Sequence, residues 1–320
     1  MILSDAQYVE YVADALKLPK GKRNEYLAQV DTLIERLTKV AKDIPELTIR
    51  KFLKTGSMRK GTVLKPKYGF SPDADVAVFI ELANDDDALD RLHDLLKQML
   101  MKAYPNKSPD DFTIQPRTLG IEFIDSGLSL DLVPVIPLEG PGDYGMQPSS
   151  QGKAMVKTSI AGQLEFVRSY KDPYTKWTAV VRLLKRWRNT HELDELRSFT
   201  VELLVCYLQA TSGVPQSIDE ALSRFWLFVA QSLGTQRVAF SSAQAGQGDA
   251  VAGSDAVVVV DPVNSSNNVA SRISDSELKI IQSAAESAWE LHHHSRTLRT
   301  KGDTIDTLRT IFGKDFTYES

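Results

Sequence analysis

The stretch Ser71-Pro-Asp-Ala-Asp-Val-Ala-Val-Phe-Ile80 decides the fold of this chain. Its composition predicts a β-strand, and the two-residue period of a strand puts Asp73 and Asp75 on one face and the alternate apolar residues on the other. Two neighbouring carboxylates repel each other unless something compensates their charge, and a hard divalent cation such as Mg²⁺ does so. A solvated strand end is the plainer interpretation, because aspartate is common in turns. The stretch alone leaves both interpretations open.

A third carboxylate lies inside a second apolar strand, Leu128-Ser-Leu-Asp-Leu-Val-Pro134. Asp131 is flanked there by Leu130 and Leu132, whose side chains point to the opposite face. An ionised carboxylate within a sheet is costly unless it is paired or binds a metal ion. Three carboxylates on strands can hold two metal ions about 3.5–4 Å apart, an arrangement that activates an attacking hydroxyl and stabilises a leaving pyrophosphate.

A Gly-Ser turn precedes both strands. Gly56 and Ser57 follow a strand-like run, and Gly61 and Thr62 come shortly after them. Such a turn exposes backbone N–H groups and a hydroxyl, and a helix that began there would add its dipole, so the turn can bind an anion such as phosphate. Gly-Ser pairs are also ordinary turns. Only the combination with the three carboxylates indicates a nucleotide site.

The rest of the chain divides into an α/β part and a helical part. Helical periodicity covers Asp87–Tyr104 between the two carboxylate-bearing strands, and helical patterns dominate the second half. The sequence therefore predicts N-terminal helices and a mixed sheet in a domain over residues 1–150, and a helical domain over residues 151–320. The Gly-, Ala-, Ser- and Gln-rich stretch at residues 241–254 is predicted to be a flexible loop.

Composition narrows the class of protein. The 320 residues carry a formal net charge of −4, and 42% of them are hydrophobic, which excludes a disordered or fibrous chain. The single cysteine, Cys206, excludes an internal disulfide framework and a cysteine-rich zinc site. No apolar run reaches the roughly 18 residues that span a bilayer, and the N-terminus does not resemble a signal peptide. We therefore expect a cytoplasmic protein, and the acidic total argues against a dedicated nucleic-acid binder.

The Gly-Ser turn and the carboxylates occur in the order and approximate spacing of nucleotidyltransferases with a polymerase-β-like palm. Within that superfamily the chain resembles the CD-NTases, bacterial enzymes related to the metazoan cyclic-GMP-AMP synthase and to oligoadenylate synthetase, and it is most similar to clade C or D. Further blocks also match: Leu183–Arg188 with Ser198–Leu204, Val260–Val269 and Ile311–Phe316. The resemblance implies an α/β palm, a mixed sheet with helices, packed on a C-terminal helical domain.

The resemblance implies roles for five residues of the palm. Asp73, Asp75 and Asp131 would be the catalytic residues and would hold two Mg²⁺ ions, with Mn²⁺ as a substitute. Asp131 would also help deprotonate the attacking ribose hydroxyl. Gly56 and Ser57 would cradle the triphosphate of the donor nucleotide.

Three residues of the helical domain would complete the nucleotide site by the same resemblance. Lys185 would pair with the donor triphosphate, Ser198 would also contact phosphate, and Phe199 would stack on a nucleobase. One departure from the family pattern is an insertion at Lys65–Phe70, which lengthens the link between the Gly-Ser turn and the first carboxylates. The family pattern therefore does not predict the shape of the opening through which the donor nucleotide would enter, although it still predicts the three carboxylates.

The resemblance also implies an activity and partners. The chain would join NTPs, with ATP as a substrate, without a template and with Mg²⁺, and would make a cyclic di- or trinucleotide second messenger in bacterial anti-phage signalling (CBASS). The messenger would switch on a downstream effector. A HORMA-type regulatory protein and a remodelling ATPase are the expected partners, whereas a membrane and a stable long nucleic acid are not.

Two other functions stay open from the sequence. A linear oligoadenylate synthetase activated by RNA is compatible with the Asp261-Pro…Asn268 segment, although the acidic total and the lack of a long basic face argue against it. A catalytically silent nucleotide-binding scaffold is disfavoured by the complete set of three carboxylates.

The run His292-His-His294 raises the question of a metal site. Consecutive residues of a helix point about 100° apart, so three adjacent histidines cannot converge on one ion. The run is instead predicted to be the exposed end of a surface helix.

Overall fold

The computed structural model describes residues 2–45, 47–66, 72–82, 87–149, 154–240 and 255–319. The chain forms two compact units: a palm unit, Leu18–Leu164, and a helical unit, Met1–Lys17 with Glu165–Ser320. The sequence predicted one boundary, between residues 150 and 151. In the structure the palm unit ends at Leu164, and the N-terminal segment up to Lys17 groups with the helical unit. The predicted loop at 241–254 and most of the insertion at Lys65–Phe70 lie outside the described residues.

The palm unit is built on a mixed seven-stranded sheet. Its central order is β1-β2-β5-β4-β3, with β6 paired to β5 and β7 paired to β6. The strands β2 and β5 run parallel, and every other pair is antiparallel. The strands, in chain order, are β1 (Thr48–Thr55), β2 (Asp73–Glu81), β3 (Phe112–Ile114), β4 (Leu119–Phe123), β5 (Leu128–Pro137), β6 (Gly145–Pro148) and β7 (Met155–Thr158).

One face of this sheet is covered by helices. They are α2 (Lys20–Ala41) and α4 (Ala88–Ala103), where the sequence predicted a helix over Asp87–Tyr104. Their apolar residues bury the alternate residues of β2, among them Val76, Val78 and Ile80, in one large core. Each fully buried side chain of this kind contributes about 1.5–3 kcal/mol. The mixed sheet with helices confirms the predicted α/β palm.

The remaining short elements connect these layers. A five-residue helix, α3 (Gly56–Lys60), follows β1 directly, and a 3₁₀ turn at Pro109–Asp111 precedes β3. The helix α5 (Ile160–Lys171) crosses the residue boundary between the two units. No helix in the described ranges is long and apolar enough to cross a membrane.

The helical unit is built around buried aromatic residues, including Trp187 and Trp226, whose ring centroids lie 6.2 Å apart. A two-stranded hairpin, β8 (Val260–Asp261) and β9 (Asn264–Asn268), accompanies its helices. The helices are α1 (Asp5–Tyr11), continued by a π-helical turn at Val12–Leu16, then α6 (Trp177–Thr190), α7 (Ser198–Ser212), α8 (Ile218–Ser232), α9 (Asp275–Ser295) and α10 (Lys301–Phe312).

The chain termini meet within the helical unit. Tyr8 and Tyr11 of α1 are buried, and the Tyr11 hydroxyl donates a hydrogen bond to the Phe312 carbonyl at 3.4 Å. The Tyr11 ring packs against Phe316, with ring centroids 4.6 Å apart. These contacts explain why the first residues belong to this unit rather than to the palm.

Arg186 of α6 holds the C-terminal segment through hydrogen bonds to the turn after α10. Arg186 Nε donates to the Phe312 carbonyl at 2.6 Å, and Nη2 donates to Asp315 Oδ1 at 2.7 Å. Gly313 has a φ of +94°, and a Cβ there would lie 3.2 Å from Arg186 Cζ. The absence of a side chain at Gly313 therefore lets the guanidinium group close on the turn.

The histidine run differs from its prediction. His292 is completely buried, with Nε2 at 2.8 Å from Asp219 Oδ1 and 3.2 Å from the Tyr8 hydroxyl, so the expectation of an exposed helix end was wrong for this residue. His294 is exposed as predicted. Burial lowers the pKa of His292, and the Asp219 carboxylate opposes that shift.

We expect His292→Ala to destabilise the protein by about 2–4 kcal/mol, because it removes a buried side chain and leaves Asp219 and Tyr8 without that partner. Thermal unfolding measures the change. The matched control is His294→Ala, two residues along the same helix, which should change stability by less than about 0.5 kcal/mol. Equal effects of the two substitutions would contradict the packing described for His292.

Candidate active site

The pairing of β2 with β5 brings two carboxylates side by side on one face of the sheet. These strands are parallel, and Asp75 is the register partner of Asp131. Asp73, the partner of Ser129, lies two residues before Asp75 and therefore on the same face of the sheet. Asp73 is exposed, whereas Asp75 and Asp131 are half-buried. The sequence prediction that Asp73 and Asp75 share a face is thus confirmed, and the sheet adds Asp131 beside them.

The Gly-Ser turn lies directly against this pair. Thr55, the last residue of β1, is the register partner of Asp75, and Gly56 follows with a φ of +66°. A Cβ at Gly56 would lie 2.6 Å from Asp75 Cγ and would overlap the carboxylate oxygen Oδ2. Only glycine fits this close approach. Ser57 is half-buried in the first turn of α3, so the turn that the sequence singled out adjoins the carboxylates.

We expect Gly56→Ala to lower the rate of pyrophosphate release at least 100-fold, because the new Cβ displaces the Asp75 carboxylate and a misplacement of about 1 Å costs that much. The matched control is Gly127→Ala. Gly127 has a similar φ of +69° but nothing within 4 Å of its missing Cβ.

Both substitutions carry the backbone cost of a left-handed residue, about 1–2 kcal/mol, which thermal unfolding would detect. Only Gly56→Ala should lose activity. If both variants lost activity in proportion to their stability, the contact between Gly56 and Asp75 would have no special importance for the reaction.

Asp131 is held in an environment that disfavours its charge. Burial, with a smaller contribution from the Asp75 carboxylate, raises its pKa to about 6, although the hydroxyl of the neighbouring Thr118, acting as a hydrogen-bond donor, opposes the shift. Since an unfolded chain has an ordinary carboxyl pKa, the folded protein loses stability as the pH rises from about 4 to about 6. Above that range the folded protein bears the full free-energy cost of holding Asp131 ionised beside the Asp75 carboxylate.

We therefore expect Asp131→Asn to raise the free energy of unfolding by about 1–2 kcal/mol at pH 7.5 without divalent cations, while it abolishes activity. The gain should disappear at about pH 3, where the carboxyl group is mostly protonated in both the folded and the unfolded state. Thermal unfolding at the two pH values measures it. Asp125→Asn, at an exposed turn of the same unit, should show no such pH-dependent gain.

The carboxylate pair suits a hard divalent cation. Its donor atoms are all oxygens, and the charge of Asp75 acts on Asp131, so a cation between them would relieve the repulsion. Among the residues that the structure describes, no group of three or more His, Cys, Asp or Glu side chains converges to hold a metal ion alone. A cation here would thus keep positions for water and for phosphate oxygens, as Mg²⁺ does.

The candidate residues of the helical unit lie where α6 and α7 pack. Lys185 Nζ is 3.2 Å from Glu202 Oε1, and the two side chains are 4% and 0% exposed. Ser198, the first residue of α7, accepts a hydrogen bond from Arg188 Nη1 at 2.9 Å, and Phe199 is half-buried. Glu202 was not among the predicted site residues. Its signal was a carboxylate within an apolar helical run, the same kind of signal that identified Asp131.

Comparisons with known proteins identify the family of this chain. The CBASS oligonucleotide cyclase CdnC of Escherichia coli strain KTE188 is 33% identical over 320 residues, which cover all of this chain and 99% of the relative. The chain belongs to the CD-NTase family. CD-NTases are nucleotidyltransferases, and the family resemblance read from the sequence is confirmed. No protein-family model matches the chain.

Other relatives and solved structures also align with nearly the whole length of this CD-NTase. The cyclic AMP-AMP-AMP synthase of Escherichia coli strain MS 115-1 is 30% identical over 311 residues, 96% of this chain and 95% of the relative. The structure of E. coli MS115-1 CdnC with ATP has a TM-score of 0.85, 30% identity and coverage of 98% and 99% of the two chains. The complex of that protein with HORMA-deltaN has a TM-score of 0.82 at 29% identity, covering 98% of each chain.

Proposed function

We propose that this CD-NTase joins NTPs, ATP among them, into a cyclic di- or trinucleotide second messenger for CBASS anti-phage signalling, without a template and with Mg²⁺. The observation that carries the proposal is the register pairing of Asp75 with Asp131, with Gly56 against the Asp75 carboxylate. The names of the full-length relatives, an oligonucleotide cyclase and a cyclic AMP-AMP-AMP synthase, support the cyclic product.

The three carboxylates would hold two Mg²⁺ ions, and Mn²⁺ would replace them. A bound divalent cation supplies charge neutralisation for the attacking ribose hydroxyl and for the leaving pyrophosphate. The chain itself positions the reactants. By the family resemblance, Asp131 would also help deprotonate the attacking ribose hydroxyl. Gly56 and Ser57 would hold the donor triphosphate in line for attack on its α-phosphate.

The helical unit would supply the remaining nucleotide contacts. Lys185 forms a buried ion pair with Glu202, and the family resemblance assigns its ammonium group a contact with the donor triphosphate. The Ser198 hydroxyl would contact phosphate beside the Arg188 guanidinium that already binds it, and Phe199 would stack on a base. These three assignments come from the family resemblance, and their support here is that the residues lie in one region of α6 and α7.

The proposed partners follow from the relatives. The solved complex of the similar E. coli protein with HORMA-deltaN supports a HORMA-type regulatory partner for this chain, and its structure with ATP supports an NTP substrate. We extend the proposal to a remodelling ATPase that acts on the HORMA-type protein and to a downstream effector that the messenger reaches.

The segment that made RNA activation compatible with the sequence has a structural role in the helical unit. In the Asp261-Pro…Asn268 segment, Asp261 accepts hydrogen bonds from Val263 N at 3.0 Å and from Asn267 Nδ2 at 3.0 Å. Asn268 Oδ1 accepts from Val259 N, and Asn268 Nδ2 donates to Val257 O. These polar residues hold the β8–β9 hairpin together, so their presence is no argument for RNA activation.

The test is incubation of the protein with the four labelled NTPs and Mg²⁺, or Mn²⁺ in parallel, with and without a HORMA-type partner, followed by mass spectrometry. We expect a cyclic product that contains adenosine and resists phosphatase. The variant with Asp73→Asn and Asp75→Asn should form none.

Two results would contradict the proposal. Products that phosphatase and exonuclease digest would indicate a linear oligonucleotide. No incorporation under any of these conditions would indicate a silent nucleotide-binding protein.

A further inference from the structure

The strand β4 borders Asp131 on the side away from Asp75. In the order β2-β5-β4, Gly120 is the antiparallel register partner of Asp131, so the two residues share a face. A Cβ at Gly120 would lie 2.9 Å from Asp131 Oδ1, closer than real Cβ atoms approach an oxygen. The Asp131 carboxylate therefore leans over β4 and occupies the space that the glycine leaves open.

Thr118 immediately precedes β4 and lies two residues before Gly120, so the two-residue period of the strand places it on that same face. Its hydroxyl oxygen is buried and makes no hydrogen bond of standard geometry among the residues that the structure describes. The hydroxyl is nevertheless near enough to Asp131 to act on its carboxyl group as a hydrogen-bond donor, which lowers the pKa of that group. A buried hydroxyl without a partner is rare in proteins, and this one lies beside a carboxylate that accepts hydrogen bonds.

We propose that Thr118 is a positioning residue for Asp131, whose carboxylate accepts a hydrogen bond from the Thr118 hydroxyl when the site holds a divalent cation. The donor orients one carboxylate oxygen and leaves the other for the cation, while Gly120 leaves room for the group. Such donors fix the geometry of carboxylate ligands, and their loss typically costs 10–100-fold in metal affinity or activity. The inference rests on the proposed function, because it assigns Asp131 the role given above.

The test compares Thr118→Val, which keeps the shape and removes the hydroxyl, with Thr118→Ser, which restores it. Mn²⁺ titration of the full chain without nucleotide, followed by electron paramagnetic resonance, measures cation binding directly. We expect Thr118→Val to weaken Mn²⁺ binding about 10-fold and to lower kcat about 10-fold with the KM for ATP unchanged. Thr118→Ser should stay within about twofold of the wild type in both measurements, a rescue that a purely structural role would not produce.

Two further variants separate the possible failures. Thr48→Val, an exposed position at the far end of β1, controls for the loss of a threonine in the same sheet, and it should bind Mn²⁺ like the wild type. Asp131→Asn should lose Mn²⁺ binding.

If Asp131→Asn bound Mn²⁺ as well as the wild type, or if the wild type bound none, the proposed site itself would fall and the inference with it. If Asp131→Asn lost binding while Thr118→Val kept both wild-type binding and wild-type kcat, only the role of Thr118 would be refuted. Weakened binding in Thr118→Ser equal to that in Thr118→Val would likewise refute the role of the hydroxyl.

Discussion

The parallel pairing of β2 with β5 is the constraint on which the candidate site depends. It sets Asp75 opposite Asp131, and both the burial and the mutual repulsion of these carboxylates disfavour the folded state at neutral pH. The large apolar core on the opposite face of the same strands holds the pair in place. Such a locally unfavourable arrangement is typical of functional sites, where stability is lost in exchange for groups that bind a ligand or a cation.

The glycines around this pair show how closely the backbone was adapted to it. Gly56 on one side and Gly120 on the other both lack the Cβ that would meet a carboxylate. Three features therefore act together. The apolar layer supplies stability, the strand register brings the charged groups together, and the two glycines leave room for them. The net charge of −4 says little about this arrangement, because local fields rather than the total charge govern a small site.

Much of the fold and of the palm site could be predicted because their signals are local. Strand alternation indicated the shared face of Asp73 and Asp75, and an aspartate inside an apolar run indicated Asp131. The partners that come from distant segments could not be predicted in this way. His292 is separated from Tyr8 by 284 residues, and no pattern within the histidine run announces that contact. Glu202 carried a local signal, a carboxylate within an apolar helical run, but its pairing with Lys185 depends on how α6 packs against α7.

The sequence by itself determined which side chains share a face, where glycine interrupts the chain and to which family the chain belongs, since periodicity and motif order are properties of neighbouring residues. Only the tertiary structure decided that Asp75 faces Asp131, that Thr118 lies beside that carboxylate and that His292 is buried. The physical reason is that register and packing depend on which distant segments meet. A strand carries its own two-residue period, but its hydrogen-bonded partner determines which residue lies opposite.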